Sequence, residues 1–249
     1  MKRILGLFVL VGMLAVPAMA LAAEQIGVYV TPKFVYGITL LEGVKTDWLD
    51  DDDASFMHIG DATKGTVGGG ISVGYDFNRK YSVPIRSEIE YALFSQVKAT
   101  KNAYGNWEGY NTYWSTKQTF QIQTLFINAY YDFRNSTDFT PYLGAGLGMS
   151  FINVKANNCG IQENYPNPQD ADHYSSPGSK TTTNFAWNVG AGISYDFNDY
   201  VALDLGYRFA GLGSARTKTA LDNDGDPWVR GKTNNIYMHQ ILSGLRLTF

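Results

Sequence analysis

Most of the chain alternates apolar with small or polar side chains. In "TVGGGISVGYDF", Val67, Gly69, Ile71, Val73, Tyr75 and Phe77 share one face, and Gly68, Gly70, Ser72, Gly74 and Asp76 share the other. "FAWNVGAGISYDF" repeats this, with Phe185, Trp187, Val189, Ala191, Ile193, Tyr195 and Phe197 set against small or polar partners. A period of two marks a β-strand, because successive side chains leave opposite faces of the sheet. Eight such segments are expected, near 26–37, 66–77, 85–98, 119–133, 141–154, 183–197, 201–212 and 235–249. Each is about as long as a tilted strand crossing a bilayer. The fourth is the least regular, with Gln121 and Gln123 on its outer face near the upper end. The first carries Pro32, which has no ladder donor, so a bulge or local break is expected there.

The connections alternate in length. Those after Phe77, Phe133 and Phe197 are short, and those after the odd-numbered segments run to roughly 20–30 residues rich in Asp, Asn, Gly and Tyr. Short turns on one side and long loops on the other predict an all-β fold. It is an eight-stranded antiparallel transmembrane β-barrel with short periplasmic turns and long extracellular loops.

The triplet Tyr-Asp-Phe occurs three times and closes three of the downward segments. It supplies Tyr75 and Phe77, Tyr131 and Phe133, and Tyr195 and Phe197, one pleat apart at one end of alternate strands. That placement suits the aromatic girdle where membrane meets water, with the intervening Asp pointing inward at the lower rim. The last strand ends the same way, with Leu245, Leu247 and Phe249 on one face.

The N-terminus carries a different signal. Met1-Lys2-Arg3 precedes an apolar stretch from Ile4 to Val16, Pro17 breaks it, and Ala20 and Ala22 form an A-x-A site. This predicts a cleaved signal peptide over residues 1–22 and a mature barrel over 23–249. The net charge of −3 and the absence of a basic cluster argue against a nucleic-acid partner. The lone Cys159 can form no internal disulfide.

A terminal Phe after alternating apolar residues resembles the recognition signal of outer-membrane barrels. "PYLGAGLGMSF", "WNVGAGISYDF" and "IRSEIEY" resemble the opacity-protein branch of the OmpA-type eight-stranded barrels. The resemblance covers the strands and not the loops, and no peptidoglycan-binding domain follows the barrel. It implies a place in the outer membrane of a Gram-negative bacterium. The implied partners are outer-membrane lipid and lipopolysaccharide, the barrel assembly machinery through the C-terminal strand, and a host or cell-surface ligand.

Three groups of residues are candidates for chemistry or binding. Lys33, Arg86, Glu88, Glu90, Asp204, Arg208 and Arg246 fall on the inward face. A charge on the lipid face near mid-membrane would cost about 2–4 kcal/mol, so a lumen position is expected. Both signs are present, which predicts a polar plug of ion pairs, with Asp204 and Arg246 as one pair; a narrow conducting pore is the alternative. Tyr104, Trp107, Tyr110, Tyr113 and Trp114 crowd the second loop. They fit either an upper aromatic girdle or a recognition surface. The acidic runs Asp50–Asp53 and Asp222, Asp224 and Asp226 read as solvated loop tips. Pro227 and Thr233 stand where a calcium loop requires Gly and Glu, and only weak calcium bridging to lipopolysaccharide is left to them.

No catalytic residue, cofactor or metal site is named. His239 has Ile241 where the Ser of a lipid A deacylase would stand, Ser243 is four residues away, and His58 and His173 lack persuasive neighbours. The expected function is a surface barrel with a structural or adhesin-like role through its loops. A small porin is the alternative, ahead of a lipid-modifying enzyme.

Overall fold

The computed structural model describes residues 26–48, 59–107, 110–162, 172–175, 178–221 and 227–249. The signal peptide and both acidic runs lie outside them. Eleven strands are present: β1 (Val28–Trp48), β2 (Gly60–Asp76), β3 (Ile85–Phe94), β4 (Val97–Trp107), β5 (Tyr110–Asp132), β6 (Phe139–Gln162), β7 (Asp172–Ser175), β8 (Lys180–Asp196), β9 (Val201–Arg216), β10 (Ala220–Leu221) and β11 (Pro227–Thr248). All pairings are antiparallel, and the order β1-β2-β3-β5-β6-β8-β9-β11 returns to β1, which closes an eight-membered ring. At the seam, Phe249 N donates to Val28 O at 2.8 Å and Ile26 N donates to Phe249 O at 3.0 Å.

Alternation sets which face each residue takes. Phe34, Tyr36, Val73, Ile89, Ile127, Leu147, Phe185 and Ile241 all point outward, with Ile127 66% exposed. A continuous apolar belt of this size is untenable in water and belongs in hydrocarbon. At the turn end, strands connect tightly. The β2–β3 connection forms a single helical turn, α1 (Asn78–Tyr81), capped by Ser82 in the left-handed region at φ 56°.

The stretches read as long loops are largely strand. β5 has 23 residues and β6 has 24. At ~3.3 Å per residue and a tilt of about 40°, β6 spans roughly 60 Å along the axis, against an apolar belt about 25 Å tall. Beyond the belt the pattern changes meaning: the outward residues become Lys, Gln, Asn and Thr, and the inward ones become apolar. Gln121 and Gln123 sit on the outside for this reason, while Phe120 and Ile122 are fully buried inside. What reads as an irregular membrane strand is a regular strand passing from lipid into water.

The ring also opens there. The β2–β3 ladder ends at Gly68 and Phe94, although β2 continues to Gly60. A one-residue slip at Ser95–Gln96 separates β3 from β4, and among the described residues no ladder joins β4 to β2. The β8–β9 ladder likewise ends at Trp187 and Gly211, although both strands continue. The loop-end half is therefore a flattened barrel of two four-stranded sheets, β4-β5-β6-β8 and β2-β1-β11-β9. Thr46 Oγ1 meets Thr116 Oγ1 at 3.0 Å and Gln118 Nε2 donates to Lys45 O at 2.9 Å, directly across the barrel.

An apolar core fills the space between these sheets. Val97, Phe120, Ile122, Ile152 and Val154 come from one sheet, and Leu41, Val44, Leu212, Ile236 and Met238 from the other. Each large side chain so buried contributes about 1.5–3 kcal/mol, which allows this half to hold its shape without lipid.

The bulge expected at Pro32 is absent, while a local break in the ladder is present. Pro32 pairs with Ile71 in unbroken register, and β1 keeps one register with β11 on either side of it (Val30 with Leu247, Lys33 with Gly244). Thr31 and Pro32 drop out of the β11 ladder, so the missing N–H costs a ladder bond there while the register is held by flanking pairs. The irregularity in β1 lies instead between Leu41 and Val44, where Gly43 has φ 59°. A side chain at Gly43 would be strained and would run into Asn234.

Candidate functional site

The seven inward charges all line the belt half of the lumen, where β1, β3, β9 and β11 bring them together. Lys33 pairs with both Glu88 and Glu90, with Nζ 2.6 Å from Glu90 Oε2. Glu90 also takes Arg208 Nη1 at 2.7 Å, and Arg208 Nε donates to Gln240 Oε1 at 2.7 Å. Glu88 accepts further bonds from Ser72 Oγ at 2.9 Å and Tyr130 OH at 2.7 Å. Asp204 and Arg246 do approach, at 3.7 Å, but neither is exclusive. Arg246 is nearer to Ser194 Oγ at 2.8 Å and Asp196 at 3.3 Å, and Asp204 also faces Arg86 at 3.9 Å.

The inward aspartates of the repeated triplets belong to this same network. Asp132 grips Arg86 Nε with both oxygens, at 2.8 and 3.0 Å. Asp76 takes Arg134 Nη2 at 2.8 Å, Arg134 also reaches Asp132 at 3.4 Å, and Asp196 holds Arg246. Each triplet thus does two jobs at the turn end: its aromatics point outward and its acid anchors a guanidinium. Tyr75–Phe77, Tyr131–Phe133 and Tyr195–Phe197 form three near-identical edge-to-face pairs, at 4.9, 5.1 and 5.1 Å between centroids. Leu245 and Leu247 stand beside Leu203 and Val201 on the neighbouring strand, and Phe249 sits at the seam.

Tyrosines complete the packing. Arg86 lies between the rings of Tyr130 and Tyr142, 5.1 Å from each centroid, and Arg246 lies 5.8 Å over Tyr29. Lumen glycines make the room. A Cβ at Gly192 would fall 2.4 Å from the Tyr142 hydroxyl, and one at Gly74 would fall 2.3 Å from the Tyr29 ring. Tyr29, Tyr130, Tyr142, Asp76, Asp132, Asp196, Arg134 and Gln240 escape a reading strand by strand, because each finds its partner on another strand. The recurring inward Asp was the one available signal.

A cavity of about 40 Å³ remains among Lys33, Arg86, Glu88, Tyr142, Asp204 and Arg208. It has room for about three waters. Arg86 Nη2 and Arg208 Nη2 have no protein hydrogen-bond partner among the described residues, and both belong to residues lining it. On the loop side the apolar core begins at Phe126, whose ring centroid lies 5.5 Å from the Arg208 guanidinium carbon.

His239 lies on the outward face, with Nδ1 2.6 Å from the Tyr207 hydroxyl and its ring against Phe209. Its described partners are thus Tyr207 and Phe209, and Ser243 is not among them. Among the described residues no group of three His, Cys, Asp or Glu side chains converges as a metal ligand set. His58 and the side chains of His173 and Cys159 lie outside the described ones. The second loop is a β4–β5 hairpin that runs to Trp107 opposite Tyr110. Tyr104 and Tyr113 are directly opposed, with ring centroids 5.0 Å apart and Tyr104 82% exposed. For Trp107, Tyr110 and Trp114 only the backbone pairing is described.

Glu90→Gln tests the lumen network. The substitution leaves Lys33 and Arg208 buried with one fewer anion, and the expected destabilisation is about 3–5 kcal/mol. Replacing Arg208 by Met in the same chain is expected to recover part of that loss. Urea unfolding in lipid vesicles reads both, and an unfolding midpoint for Glu90→Gln equal to that of the unmodified protein contradicts the account.

The chain is similar to several known proteins. PagN, an outer membrane protein of Salmonella typhimurium, is 29% identical over 203 residues, covering 78% of each chain. A candidate adhesin of Rickettsia bellii is 31% identical over 126 residues, about half of each chain (50% and 52%). The crystal structure of Neisserial surface protein A superposes with a TM-score of 0.46 at 19% identity, covering 91% of this chain and all of that one. That of Ail from Yersinia pestis, in complex with the heparin analogue sucrose octasulfate, gives 0.39 at 10% identity, covering 88% and 99%. Residues 7–248 match the family described as the outer membrane protein beta-barrel domain, and the chain belongs to that family of Gram-negative outer-membrane barrels.

Proposed function

We propose that this barrel serves as a surface-exposed binding protein of adhesin type, and that it is neither a porin nor an enzyme. One observation carries the reading: the lumen is filled twice over, by an ion-pair network in the belt half and by an apolar core beyond it. An ion crossing the barrel would have to pass both the cavity of about 40 Å³ and a layer that includes Phe94, Phe120, Ile152 and Met238. What the fold presents to the outside is a rigid stalk with hairpins at its tip. Rigid scaffolds commonly carry recognition on such tips, and exposed tyrosines lose little entropy on contact. The partial likeness to a candidate adhesin points the same way. The β4–β5 hairpin, with Tyr104 and Tyr113 paired at 5.0 Å, is the proposed contact for a host or neighbouring-cell ligand.

Planar-bilayer recordings are expected to show no steady conductance; large stable single-channel steps would restore the porin reading. Bacteria carrying the full protein are expected to bind cells or matrix better than bacteria whose protein lacks residues 102–115, with both versions assembled as heat-modifiable barrels. Equal binding removes this hairpin as the contact.

The C-terminal strand is proposed to guide assembly. Phe249 joins the seam through bonds to Ile26, Gly27 and Val28 at 3.0, 3.3 and 2.8 Å. Its deletion is expected to lower the outer-membrane level of the protein and leave periplasmic aggregates. Insertion at the normal level contradicts this role.

A further inference from the structure

Where the sheets leave the apolar belt, one side of the barrel carries a cluster of outward-facing lysines. Lys98 on β4 and Lys155 on β6 both flank Thr119 of β5, and Lys117 stands one pleat further from the belt on β5, opposite Thr100 and Asn157. All three lysines are exposed on the outward face. Their backbones form a triangle, with Lys98 and Lys155 roughly 10 Å apart across β5 and Lys117 roughly 7 Å above Thr119. Among the described residues, no ion pair or hydrogen bond engages the side chains of these three. No Asp or Glu occurs on the outward face of β3, β4, β5 or β6 among the described residues.

Between these lysines and the belt lies a row of amides. Gln121 is paired with Asn153, and Gln123 accepts a hydrogen bond from the Tyr91 hydroxyl at 2.8 Å. Leu93 and Phe151 flank Gln123 on the neighbouring strands, and Met149 lies one pleat below, all facing outward. The order from lipid into water is thus apolar, amide, lysine. The opposite side of the barrel lacks this order. There, at a comparable distance from the belt, Glu42 and Asp61 are exposed among Lys64 and Lys232. Asp61 is engaged with the Gly43 N–H at 2.9 Å and Glu42 with Asn235 at 3.1 Å.

Three neighbouring like charges repel one another, and at physiological salt their fields overlap within a Debye length of about 8 Å. A multivalent anion held just above acyl chains would relieve that repulsion. We propose that Lys98, Lys117 and Lys155 bind the phosphate groups of a phosphorylated glycolipid in the same outer leaflet, that is, lipopolysaccharide. Its acyl chains lie along Leu93, Phe151 and Met149, and its sugar hydroxyls meet Gln121, Gln123 and Asn153. This site faces the membrane that holds the barrel, and it does not depend on any ligand at the hairpin tips.

The test uses the full protein refolded in detergent micelles and titrated with fluorescently labelled rough-type lipopolysaccharide. Replacing all three lysines (Lys98→Gln, Lys117→Gln, Lys155→Gln) is expected to weaken binding roughly a hundredfold, since each lysine near an anionic surface contributes about a tenfold factor or less. Lys64→Gln with Lys232→Gln is expected to change it little. Dephosphorylated lipopolysaccharide should bind the unmodified protein as weakly as the intact glycolipid binds the triple variant. The substituted side chains are all exposed, so both variants should keep heat-modifiable gel mobility. Undiminished binding by the triple variant overturns the proposal, as does equal binding of the dephosphorylated glycolipid. Displacement by millimolar inorganic phosphate would assign the lysines to free anions instead. Loss of heparin binding with glycolipid binding intact would assign them to a sulfated polysaccharide.

Discussion

Within hydrocarbon, no backbone N–H or C=O can be left unpaired, and this requirement shapes the whole molecule. In the belt the ring of strands is closed, including the seam where Phe249 reaches back to Val28, with one interruption of the ladder at Thr31 and Pro32. Beyond it, water can satisfy an open edge. The ring separates between β2 and β4 and again between β8 and β9, at Gly68–Phe94 and at Trp187–Gly211. The two separations are where lipid stops dictating closure. A single sheet below becomes two facing sheets above, and each region then faces its own problem of filling the interior.

The two interiors are filled by different means. A belt whose outside is apolar has small and polar residues inside, so its lumen is packed with paired charge and tyrosine. Glu90 between Lys33 and Arg208, and Arg86 between Asp132 and two tyrosine rings, show how little of that charge stands alone. Beyond the belt the outside is wet, so the inside can be apolar, and Phe120, Ile122, Ile152 and Ile236 bury against one another as in a soluble sandwich. Ion pairing in one half and hydrophobic burial in the other are what the proposed surface-contact role rests on.

The belt was legible in the sequence because its alternation had one meaning throughout: in β8 Phe185, Trp187, Val189, Ala191, Ile193 and Tyr195 all face out. The loop-end half was not, because the same alternation is inverted there. Gln121 and Gln123 looked like flaws in a membrane strand, although they mark its exit into water. Pro32 looked disruptive, yet the pairs around it hold the register. The inward charges could be placed on a face strand by strand, but their partners could not. Asp132 finds Arg86 on the next strand, and Arg246 meets Asp196 across β9. The Tyr-Asp-Phe repeat was read for its rings, while its acid tied the turn end of the lumen together.

The account stands on the loop-end half being a folded sandwich. Hydrogen–deuterium exchange on the protein in lipid vesicles measures this directly. Slow exchange is predicted for amides of β1 from Leu41 to Thr46, β5 from Lys117 to Gln123 and β6 from Ile152 to Ala156. Faster exchange is predicted at alternate amides along the open edges of β2 (Gly60–Thr66) and β4 (Val97–Trp107). Uniformly rapid exchange through all of these segments, with protection confined to the belt, would show that the extensions are mobile loops and contradict the account.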